Sequence, residues 1–173
     1  MFLQQEEQVY YYMQTIKQNI KIDPKNEWLT PINLIESLGS FDLDPCSPID
    51  RPWNTALNHF TQLDNGLKQN WLGRVWCNPP YGKESQKWIE RCIEHKNCIA
   101  LTFVRSDTRL FHDIVFPNAT ALLFLQGRIK FYTKNGERAD SSVSPSVLIS
   151  FDDSNAEVLK ECQLKGFYID LRN

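Results

Sequence analysis

The tetrapeptide Asn78-Pro79-Pro80-Tyr81 follows directly on the short apolar run Val75-Trp76-Cys77. Two prolines fix φ and remove two backbone donors, so the segment is a stiff loop before any chemistry is considered. That stiffness also suits it to chemistry. The Asn78 side-chain oxygen and the Pro79 carbonyl can accept hydrogen bonds from one exocyclic amine, and Tyr81 can stack on the planar ring that bears it. Such acceptors draw electron density toward the amine nitrogen and align its lone pair with an incoming methyl group. The displacement is in line, and its barrier falls through positioning and electrostatics. No general base is needed beforehand, because the amine proton becomes acidic only as the new bond forms.

A loop of this kind needs a strand behind it and helices around it. In an open α/β sheet, ligands sit beyond the carboxyl ends of the strands, which is where this loop begins. Helical spacing over residues 4–20 suggests an amphipathic helix carrying Val9, Ile16 and Ile20. Thr30-Pro31 reads as a helix start, with Thr30 as N-cap and Pro31 at the first helical position, ending at Gly39. A short strand is expected at Phe41-Asp42-Leu43 and loop with short helical pieces over 46–70. A helix follows over 84–95, and Cys98–Val104 reads as a strand covered on both faces. Beyond it come a helix over 107–115, strands near 119–125, 128–132 and 145–151, and a helix over 154–163. This alternation predicts one compact α/β domain with a mainly parallel sheet.

The ordered motifs carry a resemblance. Glu27-Trp28-Leu29-Thr30-Pro31, Phe41-Asp42-Leu43-Asp44-Pro45-Cys46 and Asp64-Asn65-Gly66-Leu67 with Trp71 precede Val75–Gly82. Arg105-Ser106-Asp107-Thr108-Arg109 with Phe111 and Gly127-Arg128-Ile129-Lys130-Phe131 follow it. Over residues 27–150 the chain resembles the phage-type DNA N6-adenine methyltransferases, the phage Dam family. The tetrapeptide alone occurs in several amino-methyltransferase families; the ordered set is more specific.

The resemblance implies a Rossmann-like S-adenosylmethionine (SAM)-dependent methyltransferase domain over 27–173; the helical spacing before it makes residues 1–26 an N-terminal helical extension. It implies SAM as methyl donor, adenine N6 of duplex DNA as acceptor, and a target base flipped out of the stack. Asn78, Pro79, Pro80 and Tyr81 would be the catalytic residues. Thr30, Pro31, Asp44, Pro45, Cys46 and Asp64 would bind the cofactor; for Thr30-Pro31 a plain helix cap remains an equal reading. It further implies a phage or prophage protein working in the bacterial cytoplasm, where methylation would protect DNA from restriction. Two departures stand out. Asp44-Pro45 is followed by Cys46-Ser47-Pro48 instead of a glycine-rich turn, the next glycine being Gly66, and Leu110 stands where the family often has Trp. Two other readings stay open: methylation of an RNA base or a protein glutamine, and a catalytically idle DNA-binding descendant of the fold.

Charge bears on the partner. Across 173 residues the net charge is −2, which argues against a chain that is basic over its whole surface. By position, residues 74–138 hold 11 Lys and Arg against six Asp and Glu, a local +5, and the remainder eight against 15, a local −7. The half with the acceptor loop is the basic half, and Arg105, Arg109, Arg128 and Lys130 are its candidate phosphate contacts. Five cysteines without a C-x-x-C pair and three dispersed histidines predict neither a disulfide framework nor a metal site. Neither a signal-peptide pattern nor an apolar run of membrane-spanning length is present. Monomer and homodimer both remain open.

Overall fold

The computed structural model describes residues 28–142 and 144–172; the expected helix over 4–20, and the extension it belongs to, lie outside them. Helix α1 (Ile32–Leu38) buries Leu34, Ile35 and Leu38 and stops at Gly39, whose φ of +83° lets the chain turn away. Strands β1 (Leu43–Asp44), β2 (Asn58–His59) and β3 (Val75–Cys77) follow, the last two separated by a short 3-10 turn at Gly66–Lys68. Then come α2 (Ser85–His95), β4 (Cys98–Phe103), a helical segment α3 (Leu110–Asn118), β5 (Ala121–Leu125), β6 (Lys130–Tyr132) and β7 (Arg138–Ser141). Strand β8 (Ser146–Ser150), α4 (Asp153–Glu161) and β9 (Gly166–Asp170) complete the order.

Seven strands form one sheet in the order β2-β1-β3-β4-β8-β5-β9, and β6 and β7 form a separate two-stranded ribbon. The first four strands are mutually parallel, as expected, whereas β8, β5 and β9 each pair antiparallel with their neighbours. The sheet is thus mixed, with its parallel half under the acceptor loop. Both faces are covered. Val75, Cys77, Cys98 and Ala100 pack with Trp88, Ile89 and Cys92 of α2 and with Phe111 and Val115 of α3. Trp76, Ile99 and Leu101 point the other way, to Leu34 and Leu38 of α1 and Leu159 of α4. This two-sided burial is why β4 has no polar alternation in sequence.

Several local expectations change. Pro31, with φ −54° and ψ 132°, is the residue that caps α1, and its carbonyl accepts from Leu34 and Ile35 N–H. Thr30 is not the cap because its hydroxyl is engaged at the acceptor loop, 3.3 Å from Asn78 Nδ2. The helix expected at 107 begins at Leu110, since Thr108 closes a turn onto the Arg105 carbonyl through both its N–H and its hydroxyl. Its first part, Leu110–Val115, is wound as a π-helix. Strands β2 and β7 were not foreseen; both are short and polar and lack an apolar alternation.

Candidate active site

Strand β3 is central, buried throughout, and delivers the loop to the carboxyl edge of the parallel strands. Asn78 Nδ2 donates toward the Trp28 carbonyl at 3.4 Å and Thr30 Oγ1 at 3.3 Å. The Tyr81 hydroxyl donates to Asn78 Oδ1 at 3.1 Å. Among the described residues no donor reaches the Pro79 carbonyl. Tyr81 lies flat on Phe103, with centroids 3.9 Å apart and planes within 9°, and Phe131 meets it edge-on at 6.4 Å. One face of the tyrosine ring is therefore occupied by protein. Burial drives the Tyr81 pKa upward, so the phenol remains a donor at neutral pH.

The loop forms one wall of a cavity of about 320 Å³, at the small end of the usual range for ligand sites. Pro45 to Pro48 and Thr61, Gln62 and Asn65 to Leu67 build other walls, with Trp28 and Trp88 as aromatic sides. The parallel pairing of β1 with β2 and β3 brings these segments together. Gly66 is essential to the arrangement. A Cβ placed there would lie 1.9 Å from the Pro45 carbonyl oxygen. The missing side chain at Gly66 thus lets its loop pack directly on the Pro45 carbonyl, 21 positions earlier in sequence.

Of the six residues expected at a cofactor, Pro45 and Cys46 line this cavity, while Thr30, Pro31, Asp44 and Asp64 do not. Asp44 is buried beneath it. Its Oδ1 accepts from Cys46 N–H at 3.1 Å and its Oδ2 from the Thr55 hydroxyl, so it shapes the Pro45-Cys46 turn. Burial pushes its pKa up to about 6, although Thr55, the Cys46 N–H and Arg51 all oppose that rise. Asp64 is exposed and accepts from both the N–H and the hydroxyl of Thr61 at 2.8 Å, closing the turn that holds Thr61 and Asn65 on the cavity. Pro31 belongs to a different groove, described below.

Cys46 and Cys77 approach to 3.9 Å between sulfurs at the base of the site. All the cysteines are free thiols, and burial raises the pKa of Cys46, Cys77 and Cys92 well above the ordinary value and that of Cys98 to about 11. These thiols stay protonated and serve as small apolar packing groups. Among the described residues no cluster of His, Cys, Asp and Glu could hold a metal, and no helix is long and apolar enough to cross a membrane.

The four candidate phosphate contacts are exposed. Arg105 and Arg109 follow β4, while Arg128 and Lys130 lie across the sheet edge at the ribbon. The sequence reading missed Trp28, Thr61, Gln62, Asn65, Gly66 and Trp88 as cavity walls. Of these, Trp28, Asn65 and Gly66 stood within quoted motifs and so carried a signal; Thr61 and Gln62 carried none. A family model described as DNA N-6-adenine-methyltransferase (Dam) matches residues 17–161. No curated protein and no solved structure matches.

Proposed function

Because the chain belongs to the DNA N-6-adenine-methyltransferase (Dam) family, we propose that it transfers a methyl group from SAM to adenine N6 of DNA at the Asn78-Pro79-Pro80-Tyr81 loop. The observation that carries this reading is the fixed orientation of the Asn78 amide. Its nitrogen is held by Trp28 and Thr30, and its oxygen is turned to the only polar tip of the Tyr81 ring. An amine entering there would take the acceptor now used by the phenol and find a second acceptor in the Pro79 carbonyl.

The residues suit the implied cofactor on two counts. The cavity adjoins the acceptor loop, and Gly66 lets two of its walls, the Pro45 and Asn65–Leu67 segments, close on each other where a side chain would hold them apart. Pro45, Cys46 and the Asn65–Gly66 segment would hold SAM against Trp28 or Trp88, and Asp44 would act from beneath by fixing the Pro45-Cys46 turn. SAM, when bound, supplies an electrophilic methyl group. The Asn78 and Pro79 oxygens would align the amine nitrogen and stabilise the positive charge that grows on it as the methyl–sulfur bond breaks, the N6 proton then passing to solvent, while Phe103 holds the Tyr81 ring in place. For a duplex substrate the base must leave the stack to reach this loop. A Rossmann-like methyltransferase domain over 27–173 fits the parallel half-sheet and the position of the cavity beyond its carboxyl ends.

The test is incubation of the purified chain with DNA and SAM, followed by digestion and nucleoside mass spectrometry. N6-methyladenine is expected from DNA, its formation abolished by Asn78→Ala while calorimetric SAM binding persists. Methylated RNA or glutamine with unmodified DNA would move the substrate class. DNA binding with no SAM binding would mark an idle descendant.

A further inference from the structure

The sheet is electrically polarised from edge to edge. Strands β3, β4 and β5 run the same way, and β8 and β9 run against them. One edge therefore carries the residues after β3, β4 and β5 and those before β8 and β9. Arg105, Arg109, Arg128 and Lys165 are on it, and the ribbon adds Lys130 and Arg138. None of these six takes part in an ion pair among the described residues; Asp107, Glu137 and Asp140 are the carboxylates nearby in sequence. The opposite edge carries Asp152, Asp153 and Asp170 together with Arg74 and Lys96, and its Arg172 is neutralised by Asp153, Glu157 and Asp170.

On the basic edge the ribbon and the start of α1 enclose a groove of about 580 Å³. Arg128, Lys130, Arg138 and Lys165 line it together with the neutral Asn33 and Gln126, and among the described residues its walls hold no carboxylate. All four cations are exposed. Four like charges around one groove concentrate positive potential there and draw in an anionic partner. The groove also adjoins the acceptor loop. Residues Leu29 and Tyr132 exchange backbone hydrogen bonds of 2.8 and 2.9 Å, and Phe131, between Lys130 and Tyr132, meets Tyr81. Pro31 lines the groove one residue after Thr30, which holds Asn78.

We propose that this groove carries the phosphate backbone of the DNA beside the target adenine, with Arg138 and Lys165 completing a cation set that includes Arg128 and Lys130. The inference rests on the methyltransferase reading for the identity of the polyanion. It also locates the docking track on the ribbon side of the loop, and it assigns Arg138 and Lys165, which the sequence did not single out.

The experiment uses the full chain and a fluorescently labelled mixed-sequence duplex, with anisotropy titrations over a series of salt concentrations. Each lost phosphate contact lowers the slope of log K against log salt by about 0.9. The double variant Arg138→Ala/Lys165→Ala is expected to lower it by about 2 and to weaken binding about tenfold at physiological salt. SAM affinity should not change. Lys160→Ala, on α4, should leave the slope alone. An unchanged slope in the double variant, with wild-type protein that binds and methylates DNA, overturns the groove and leaves the methyltransferase reading intact. A wild type that binds DNA through these cations but never forms N6-methyladenine does the reverse. Failure of the wild type to bind duplex overturns the groove outright.

Discussion

The Asn78 amide nitrogen lies 3.4 Å from the Trp28 carbonyl and 3.3 Å from Thr30 Oγ1. A carbonyl can only accept, so the first contact decides which end of the amide faces which way. Thr30 is buried, 2% exposed, and acts as a second brace on the same nitrogen. It is a positioning residue for Asn78 more than a cap for α1.

Removing that brace with Thr30→Val keeps the shape and deletes the acceptor. Loss of a neutral hydrogen bond is worth about 0.5–1.5 kcal/mol, so kcat for DNA methylation should fall roughly two- to tenfold. Thr30→Ser should restore it, with the SAM dissociation constant the same in all three proteins. Wild-type kcat in the valine variant would remove Thr30 from the site's machinery.

Tyr81 separates into a ring and a hydroxyl. In Tyr81→Phe the stack on Phe103 survives and Asn78 Oδ1 loses its internal donor. Methylation should stay within about threefold of wild type, since the amine no longer competes with the phenol. Tyr81→Ala removes the platform as well and should cost about a hundredfold. Steady-state kinetics on one DNA substrate would compare them; equal losses in both variants would mean that the hydroxyl, and not the ring, carries the function.

Gly66→Ala forces a methyl group against the Pro45 carbonyl. Overpacking of this kind costs about 1–3 kcal/mol and displaces the Pro45-Cys46 wall. Urea unfolding should show the loss, and calorimetry should show SAM affinity falling with it. A variant that binds SAM normally would show that this wall does not touch the cofactor.

Asp44 makes stability depend on pH. Its pKa in the folded protein is about 6, above the ordinary 3.8, so the native state holds the proton more tightly than the unfolded chain. Its stabilising contribution is complete below the unfolded value and is lost as pH rises through about 6. The full difference corresponds to about 3 kcal/mol. Asp44→Asn removes the titration, so its unfolding free energy should decline less than that of the wild type between about pH 4 and 7. Parallel curves in urea titrations across that range would contradict this.

The sequence made the acceptor side legible and the cofactor side only partly so. The loop announces itself because two prolines after an apolar strand are uncommon and local; every residue needed to read it is contiguous. The cavity wall is not contiguous. Gly66 faces Pro45 only because β1 pairs with β2 and β3, and β2 is two polar residues long with no periodicity to betray it. Asp44 and Asp64 illustrate a related limit. A carboxylate in a motif can serve a ligand directly or shape the backbone that does, and the two uses leave the same letter in the sequence. Here the hydrogen bonds to Cys46, Thr55 and Thr61 favour the shaping role.

The brevity of β1 and β2 has its own consequence. Two residues each leave little ladder to hold that edge of the sheet, while β4 and β8 register over five consecutive pairs. The β1–β2 margin is held by four flanking backbone hydrogen bonds, among them Leu57 N–H to the Phe41 carbonyl and Phe60 N–H to the Asp44 carbonyl, and by the Asn58 side chain, which donates to the Asp42 carbonyl at 3.1 Å. Segments of this kind open at low free energy, so their amides should exchange with solvent faster than those of β4 and β8. A small molecule bridging the ends of β1 and β3 would act as a clasp on that margin, slowing exchange there first.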